Sequence, residues 1–449
     1  MATNQLFLSA GLLGCTFMFL GATASAQEPP EQVANDEVVV PHNRSPRDQA
    51  IWVLRSIRLP EPPLEDPTAE LMNVLPLTAD DVLGYLHDRR VPRLGEDPSQ
   101  TLSIYQQALI LDAVEQSDPL PMLAAVARLL STSDSSLSVA TAIEIYGVTG
   151  GAERLGTIHT HTKSLPEEEL IGRLNEAIES ALVALIRRDP QTMDQLTSTW
   201  RDWPIELVPS FIQAVGKARD PRGLEFLHEV TRWESDLQLL ALSKIGLLGP
   251  SGDEYIDAPL ADTVRKMIES KDGRIRKAAI LALGGLRDLE SIPLFIELLE
   301  SESAGERGNA VWSLRRATGL QLNDQKQIWS VWFKRESDWY EQSNSVFQQL
   351  SSRIDGQVFD AIREVSLHSL HRDELAAEVA HCLGHSRVNI RVTACKGLGR
   401  LGSRTVVPQL IGMLLDRAEP VRMAARRALT DILGEDLGPN VEDWPSENV

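Results

Sequence analysis

The sequence is poor in cysteine, in aromatic residues and in basic charge. Of its 449 residues three are cysteines and 5% are aromatic. So few cysteines exclude a disulfide-dense scaffold. Lys and Arg total 44 against 64 for Asp and Glu, which gives a net charge of −20. Because a nucleic-acid-binding protein needs a basic surface to displace counterions, this balance argues against DNA or RNA as a partner.

The signatures of common enzyme classes are missing as well. The sequence contains no G-x-S-x-G, H-E-x-x-H, C-x-x-C or P-loop pattern, and no C-x-x-C-H pattern for covalent haem. We therefore predict a non-catalytic protein with no catalytic residue, no cofactor and no metal site.

The amino-terminal segment indicates export. Residues 1–26 carry no charged side chain, and the apolar stretch 6–20 precedes an Ala-Ser-Ala sequence at 24–26. This pattern predicts a secretory signal peptide over 1–26 and a periplasmic or extracellular protein. Two alternatives stay open. Residues 12–15 (Leu-Leu-Gly-Cys) resemble a lipobox, which would make the protein a membrane-anchored lipoprotein with a lipid on Cys15, or the segment remains uncleaved as an anchor.

Proline divides the rest of the chain. Residues 27–98 hold 11 of the 25 prolines, and proline breaks helix interiors. We predict a proline-rich leader and irregular amino-terminal cap over 27–100, with residues 27–50 disordered. Short helices are expected within the cap, among them one over Thr78–Arg89 that begins at Thr78 or Asp80.

From residue 101 onward apolar residues recur at helical spacing, which predicts an all-helical body. The sequence also repeats internally. When residues 260–329 are laid on residues 375–444, a constant offset of 115, 18 of the 70 positions are identical. The identities are mostly apolar residues at helical spacing with the Gly and Pro residues that end and begin helices, as expected of a repeated unit of two helical hairpins.

These segments resemble HEAT repeats of the type found in HEAT-like and phycobilisome-lyase proteins. Residues 291–299 and 406–414 resemble the first helix of a unit, and residues 275–284 and 421–429 resemble the second. The similarity is strong over 259–319 and 375–434 and weaker before them. The resemblance implies an all-α, right-handed α-solenoid, or superhelix, of about six or seven HEAT-like hairpins. We divide it into divergent repeats over 101–250, a first module over 251–341 and a second module over 342–449.

Each module ends in a glycine, an apolar residue and a tryptophan, an ending that is similar to HEAT arrays of exported bacterial proteins. These residues are Gly319, Leu322 and Trp329 in the first module and Gly434, Leu437 and Trp444 in the second. The tryptophans are expected to cover the last exposed apolar stripe. An aromatic ligand site built from Trp329, Trp332 and Trp339 is the alternative.

The resemblance implies a function by analogy, because stacked hairpins present extended binding surfaces. We expect a non-catalytic scaffold of the cell envelope that binds a partner protein or peptide on the concave face. The alternatives are an accessory enzyme or lyase-like factor that uses an inter-repeat cleft, and a purely structural envelope protein. Deoxyhypusine hydroxylases, which are HEAT-like enzymes, bind two irons through several His-Glu pairs. This sequence has one such pair, His228-Glu229.

Charge is distributed unevenly. Residues 386–429 hold nine basic and two acidic residues, whereas residues 430–449 hold six acidic residues and no basic one. The run favours a solvated face in which Arg391 and Arg422 pair with turn carboxylates, as Arg276 would near Asp272. The functional alternative is a basic ledge that binds an acidic partner segment through Arg391, Lys396, Arg400, Arg422, Arg426 and Arg427.

Histidine and cysteine cluster near the carboxyl-terminal repeats, at His368, His371, His381, Cys382 and His385. Such a cluster suggests a metal site. The repeat favours packing instead, because Cys382 aligns with Met267 and Cys395 with Ile280, which are apolar positions. A disulfide between the two cysteines stays open. His159 and His161 are expected in a polar loop.

Overall fold

The structure is a computed structural model that describes residues 44–57, 64, 66–92, 98–133, 135–170, 172–233 and 235–444. The amino-terminal part begins with helices and one small antiparallel hairpin of strands β1 (Arg90–Pro92) and β2 (Pro98–Thr101). Its helices are α1 (Pro46–Ser56), α2 (Pro67–Asp88), α3 (Ile104–Gln116) and α4 (Leu120–Thr132).

The next part is a succession of helices joined by short turns. They are α5 (Ser136–Val148), α6 (Glu153–Lys163), α7 (Arg173–Arg188), α8 (Gln191–Thr199), α9 (Val208–Ala218), α10 (Gly223–Val230), α11 (Ser235–Leu248), α12 (Glu254–Met267), α13 (Gly273–Leu286), α14 (Ile292–Leu298) and α15 (Ala304–Thr318). Short 3-10 helices lie at Glu167–Glu169, Trp200–Asp202, Ile205–Leu207 and Leu289–Ser291.

The carboxyl-terminal part continues in the same manner. Its helices are α16 (Lys326–Gln342), α17 (Asn344–Leu350), α18 (Asp355–Val365), α19 (Arg372–Ala380), α20 (Val388–Leu401), α21 (Val407–Gly412) and α22 (Glu419–Leu433). Here the 3-10 helices are His381–Gly384, Arg404–Val406, Met413–Leu415 and Val441–Asp443.

Alternate helices pack side by side into a layer that we call the second-helix layer. In its first stack α5, α7, α9, α11, α13 and α15 each contact the next, and in its second stack α18, α20 and α22 do the same. Each of α11, α13, α15, α18, α20 and α22 also packs on the helix that precedes it in the chain. This is an all-α solenoid of helical hairpins, as the sequence predicts. Helix α5 packs on α4 in the same way, so within the described ranges seven of the nine second helices form a hairpin with the preceding helix, in agreement with the six or seven hairpins expected.

Two hydrophobic cores lie along the solenoid, and α16 connects them. The first core extends from α1 to the beginning of α16, where Trp329 and Trp332 are buried. The second extends from α17 to Trp444, and Trp339 and Tyr340 near the end of α16 pack against it. The three tryptophans of α16 therefore serve different cores and do not form one aromatic ligand site.

Both modules end in the same local structure. Gly319 and Gly434 end α15 and α22 in the left-handed region, at φ 77° and 86°, where glycine has no steric cost. The chain then folds back and buries a tryptophan, whose indole Nε1 donates to a carbonyl six residues earlier. The distances are 2.7 Å from Trp329 to Asn323 and 2.9 Å from Trp444 to Gly438.

A buried ion network joins the amino-terminal helices to the solenoid. Glu144 of α5 is 7% exposed and accepts from Arg89, at the end of α2, at 2.6 Å and from Arg173 of α7 at 3.2 Å. Arg173 also donates to the carbonyl oxygens of Leu86 and His87, which end α2. A buried charge is tolerated when it is paired and hydrogen-bonded in this way.

Three local predictions are wrong. Residues 46–50, expected to be disordered, form the beginning of α1, which the side chain of Ser45 caps. The helix expected over Thr78–Arg89 is the second half of the longer α2, which begins after the capping side chain of Asp66. Pro76 removes a backbone donor, and Thr78 marks the resulting kink rather than a helix start. His159 and His161 lie in α6 rather than in a polar loop, and their rings stack on Trp203 and Tyr146.

The expected signal peptide, the lipobox at Cys15 and most of the disordered leader lie outside the described residues. Among the residues that the structure does describe, no helix combines the length and the apolar character needed to cross a membrane.

Candidate partner-binding groove

A groove of about 800 Å³ runs across the second stack of the second-helix layer. Its walls come from α18, α20 and the beginning of α22. The residues that line it are Phe359, Ile362, Arg363, Ser366, Val388, Asn389, Val392, Thr393, Lys396, Gly397, Arg400 and Pro420.

The groove combines apolar surface with positive charge. Val388 is 41% exposed although it is apolar. The Arg363 guanidinium carbon lies 5.8 Å from the ring centroid of Phe359, which places a cation over an aromatic face. Lys396 and Arg400 follow one turn apart on α20, and both are exposed. No carboxylate is among the lining residues, so the groove has three cations and no opposite charge in its own lining.

Helix packing fixes the floor of the groove. Gly397 of α20 lies against α18, and a Cβ atom at this position would lie 2.4 Å from the Ser366 hydroxyl oxygen. That hydroxyl donates to the Ile362 carbonyl at 2.6 Å. The close approach brings Arg363 of α18 and Lys396 of α20 onto the same groove.

Four of the six residues predicted to bind a partner lie elsewhere. Arg391 forms a bidentate pair with Asp416, with distances of 2.8 and 2.9 Å, and both side chains are largely buried. This ion pair holds the pKa of Asp416 below its usual value through the hydrogen bond from Arg391. Arg426 pairs with Asp436 of the acidic tail at 2.8 Å. Arg427 is exposed on α22 and lies outside the groove lining.

Arg391 and Arg422 belong to a repeated turn structure. In four turns an arginine near the start of the second helix donates from Nη1 to the carbonyl oxygens six and five residues earlier, at distances of 2.7–3.2 Å. These arginines are Arg276, Arg307, Arg391 and Arg422. Because the guanidinium satisfies backbone acceptors of the turn, these residues stabilise the repeat.

Arg276 departs from the expected pairing. It contacts Glu306, in the next turn, at 2.8 Å, rather than Asp272. Asp272 instead caps α13 and pairs with Arg274. Arg391 and Asp416 follow the same principle as Arg276 and Glu306, since in both cases an arginine of one hairpin reaches a carboxylate of the next.

The histidine and cysteine cluster does not form one site. His368 stacks on Trp339 with ring centroids 3.6 Å apart, and His371 stacks on Tyr340 at 4.1 Å. Within the described part of the chain, no group of three or more His, Cys, Asp or Glu side chains is placed to hold a metal ion.

Cys382 and Cys395 are buried free thiols in this structure, so the disulfide alternative is not realised. Burial raises the pKa of Cys382 to about 11 and that of Cys395 to about 12. The two residues of the single His-Glu pair also have other partners. The His228 ring forms a hydrogen bond with the Thr263 hydroxyl, and Glu229 pairs with Arg201.

Two segments of the chain match a known sequence family. Residues 233–315 and 360–439 match the family model for HEAT repeats. The two segments cover most of residues 259–319 and all of residues 375–434, where the sequence most resembles HEAT repeats. The first segment contains α13 and the second contains α20. No curated protein sequence matches the chain.

Solved structures align with the chain only loosely. An engineered protein aligns with a TM-score of 0.33 and 14% identity, covering 87% of this chain and 99% of that one. Kap95p, from a complex with RanGDP, aligns at 0.34 and 11%, covering 88% of this chain and 56% of its own, so this chain spans about half of its length. Human deoxyhypusine hydroxylase aligns at 0.24 and 16%, covering 67% of this chain and 99% of its own. Such low scores transfer no property of these proteins to this chain.

Proposed function

We propose that this protein is an exported, non-catalytic scaffold that binds an acidic, partly apolar segment of a partner protein in the groove of α18, α20 and α22. The observation that carries the proposal is the composition of the lining, which has three cations, exposed apolar side chains and no carboxylate. Export rests on the sequence of residues 1–26. Tethering to a membrane through this segment, or through a lipid on Cys15, belongs to the same proposal.

The groove favours a peptide over a compact ligand. Its lining comes from three neighbouring helices, and its cations are distributed over α18 and α20. An extended segment can place carboxylates beside Arg363, Lys396 and Arg400 while its apolar side chains contact Phe359 and Val388. Complementary charge of this kind raises the association rate and selects the partner, and the apolar contacts slow its release.

The enzyme alternative requires a different lining. An accessory enzyme or lyase-like factor would need histidine and carboxylate side chains that converge in a cleft. The residues that line this groove include neither type. The geometry therefore supports the binding function, and we retain that one.

The test uses a short labelled peptide of Glu, Leu and Phe and a matched peptide in which Lys replaces Glu. Fluorescence anisotropy with the full chain should detect binding of the acidic peptide and no binding of the Lys peptide. The double substitution Lys396→Glu and Arg400→Glu should weaken it by at least about tenfold, equivalent to about 1.4 kcal/mol. Affinity capture from an envelope fraction, with and without the double substitution, would then identify the natural partner.

A matched control changes the same charge elsewhere. Lys271 and Lys334 are exposed and lie outside the groove, so Lys271→Glu with Lys334→Glu should leave peptide binding unchanged. Equal losses in both double variants would mean that net charge, and not the groove, attracts the peptide. Arg422 is unsuitable for this test because its guanidinium bonds to the Asp416 and Arg417 carbonyls of its turn.

A further inference from the structure

The two longer walls of the groove, α18 and α20, run in the same direction. At the beginning of α18, Asp355 pairs at 3.2 Å with Arg387, which immediately precedes α20. Toward the other end of both helices, Gly397 of α20 lies against Ser366, the residue that follows α18. Because both ends match in this order, a residue near the start of one helix faces a residue near the start of the other.

This register gives the groove an apolar end and a cationic end. The apolar end, at the start of the helices, is lined by Phe359, Val388, Val392 and Pro420. Arg387 lies beside this end but is paired with Asp355. The cationic end is lined by Lys396 and Arg400, and Arg363 lies between the two ends. From Val388 to Arg400 the groove is about 18 Å long, at the rise of an α-helix.

The chain itself contains a segment of complementary composition. Residues 27–43, which lie outside the described residues, hold four acidic residues and no lysine or arginine. Asp36 and Glu37 are adjacent, and three valines follow them at 38–40. We call residues 36–40 the acidic leader segment. Five residues of extended chain span about 17 Å, so this segment matches the groove in length, in charge and in the separation of charge from apolar side chains.

The groove of the same chain is too distant for this segment. Six peptide units join Val40 to Pro46, where α1 begins, and they span about 20 Å at most. Helix α1 packs on α2 at the amino-terminal end of the solenoid, and the groove lies beyond the stack from α5 to α15. That stack alone contains five steps between neighbouring helices of about 9 Å each. The groove of a second copy has no such restriction.

We propose that the acidic leader segment of one copy binds in the groove of a second copy. Asp36 and Glu37 lie at the cationic end, and the valines lie at the apolar end. The inference rests on the proposed function of the groove and identifies its partner as this same chain. Because the two contacting surfaces differ, the contact is head-to-tail and repeats from copy to copy, in open chains or closed rings.

The test is sedimentation velocity of the full chain from about 1 μM to about 100 μM, at constant ionic strength because salt screens the contact. We expect the sedimentation coefficient to rise with concentration. Reversal of the leader charges, by Asp36→Lys with Glu37→Lys, should weaken self-association by at least about tenfold. Reversal of the groove charges, by Lys396→Glu with Arg400→Glu, should do the same. Lys396 and Arg400 are exposed, so the groove variant is expected to fold, which circular dichroism checks.

Combining the reversed charges makes the test specific. In an equal mixture of the two double variants, the altered leader of one copy meets the altered groove of the other. The mixture should form a dimer and nothing larger, because the remaining leader and the remaining groove no longer match a partner. A single chain with all four substitutions should regain association beyond the dimer. A mixture and a fourfold variant that both stay monomeric, while the unaltered chain associates, overturn the proposal.

The matched control reverses two other acidic residues of the same leader, by Glu28→Lys with Glu31→Lys. This variant undergoes the same change of net charge and should associate as the unaltered chain does. A loss equal to that of the variant at Asp36 and Glu37 would mean that overall charge, and not the acidic leader segment, drives association.

The peptide experiment separates this inference from the proposed function. If the groove binds the Glu, Leu and Phe peptide but the chain remains monomeric at every concentration, the binding function holds and the second copy is not the occupant. Self-association that persists after reversal of Lys396 and Arg400 places the contact elsewhere and also overturns the inference. A chain that neither binds the peptide nor associates contradicts both.

Discussion

The close contact between α11 and α13 can be tested by replacing a glycine with alanine. The sign of the resulting change in the free energy of unfolding shows whether packing or helix propensity dominates. Gly285 of α13 faces Gly246 of α11, and a Cβ atom on Gly285 would lie 2.3, 2.5 and 2.7 Å from the Gly246 O, Cα and C atoms. All three are backbone atoms, so no rotation of a side chain can make room. To restore the roughly 3.5–4.0 Å separation of carbon atoms in contact, the two helices would have to separate by about 1 Å.

The expected effect of Gly285→Ala follows from two opposed contributions. In a helix interior alanine is favoured over glycine by about 1 kcal/mol. Overpacking of a dense core costs about 1–3 kcal/mol, and contact with backbone places this site in the upper part of that range. We therefore expect a net loss of about 1–2 kcal/mol in the free energy of unfolding. It should be measured by urea unfolding that is followed by circular dichroism.

Gly308 provides the matched control. It lies inside α15 and is exposed, and a Cβ atom added to it would have no other atom within 4 Å. Gly308→Ala should therefore stabilise the protein by up to about 1 kcal/mol. If Gly285→Ala stabilises the protein as much as Gly308→Ala does, the two helices are not in backbone contact and the packing argument fails.

Three further predictions follow from other parts of the structure. Asp416→Asn should lower the unfolding free energy at pH 7 by about 1–3 kcal/mol, because Arg391 loses a charged partner. Since the pKa of Asp416 is lowered by folding, its contribution is present above the unfolded-state pKa and disappears as pH falls through the folded-state value. The melting temperatures of variant and parent should therefore converge below about pH 4, and a constant difference across the acid range would contradict the ion pair. Cys382 and Cys395 should resist iodoacetamide at pH 8 in the folded protein and react in denaturant, whereas labelling of either under native conditions would refute their burial. Ala279→Leu should lower the melting temperature, because Ala279 is fully buried in α13, and an unchanged value would count against the repeat register.

The sequence predicts the solenoid well because the signals that produce it are local and repeated. Apolar spacing identifies the helices, and the 115-residue offset aligns Gly319 with Gly434 and Trp329 with Trp444, whose surroundings prove to be the same. The arginine that closes each turn is visible as a repeated identity too. Its role is not, because a one-dimensional count treats every arginine as surface charge.

The groove can be predicted only in part, because a count of charges along the sequence does not show which side chains meet in space. Charge density identifies Lys396 and Arg400, and both line the groove. It does not identify Arg363 and Phe359, because they lie on α18, which precedes the repeated segment and belongs to no run of basic residues. The kinked α2 escapes prediction as well, since a proline inside a helix and a proline before one give the same local pattern.

The positions that form the groove are those at which the two modules differ. At the constant offset of 115, Lys396 corresponds to Leu281 and Arg400 corresponds to Gly285, and Gly285 lies against the backbone of α11. The first module therefore has neither of these two cations, and at one of the two positions it packs against the preceding second helix. The residues that the modules share, such as Ala279 and Ala394, are buried between helices. Repetition accounts for the solenoid, whereas Lys396 and Arg400 replace residues that carry no charge in the first module, so the proposed binding function belongs to the second module and not to the repeat as such.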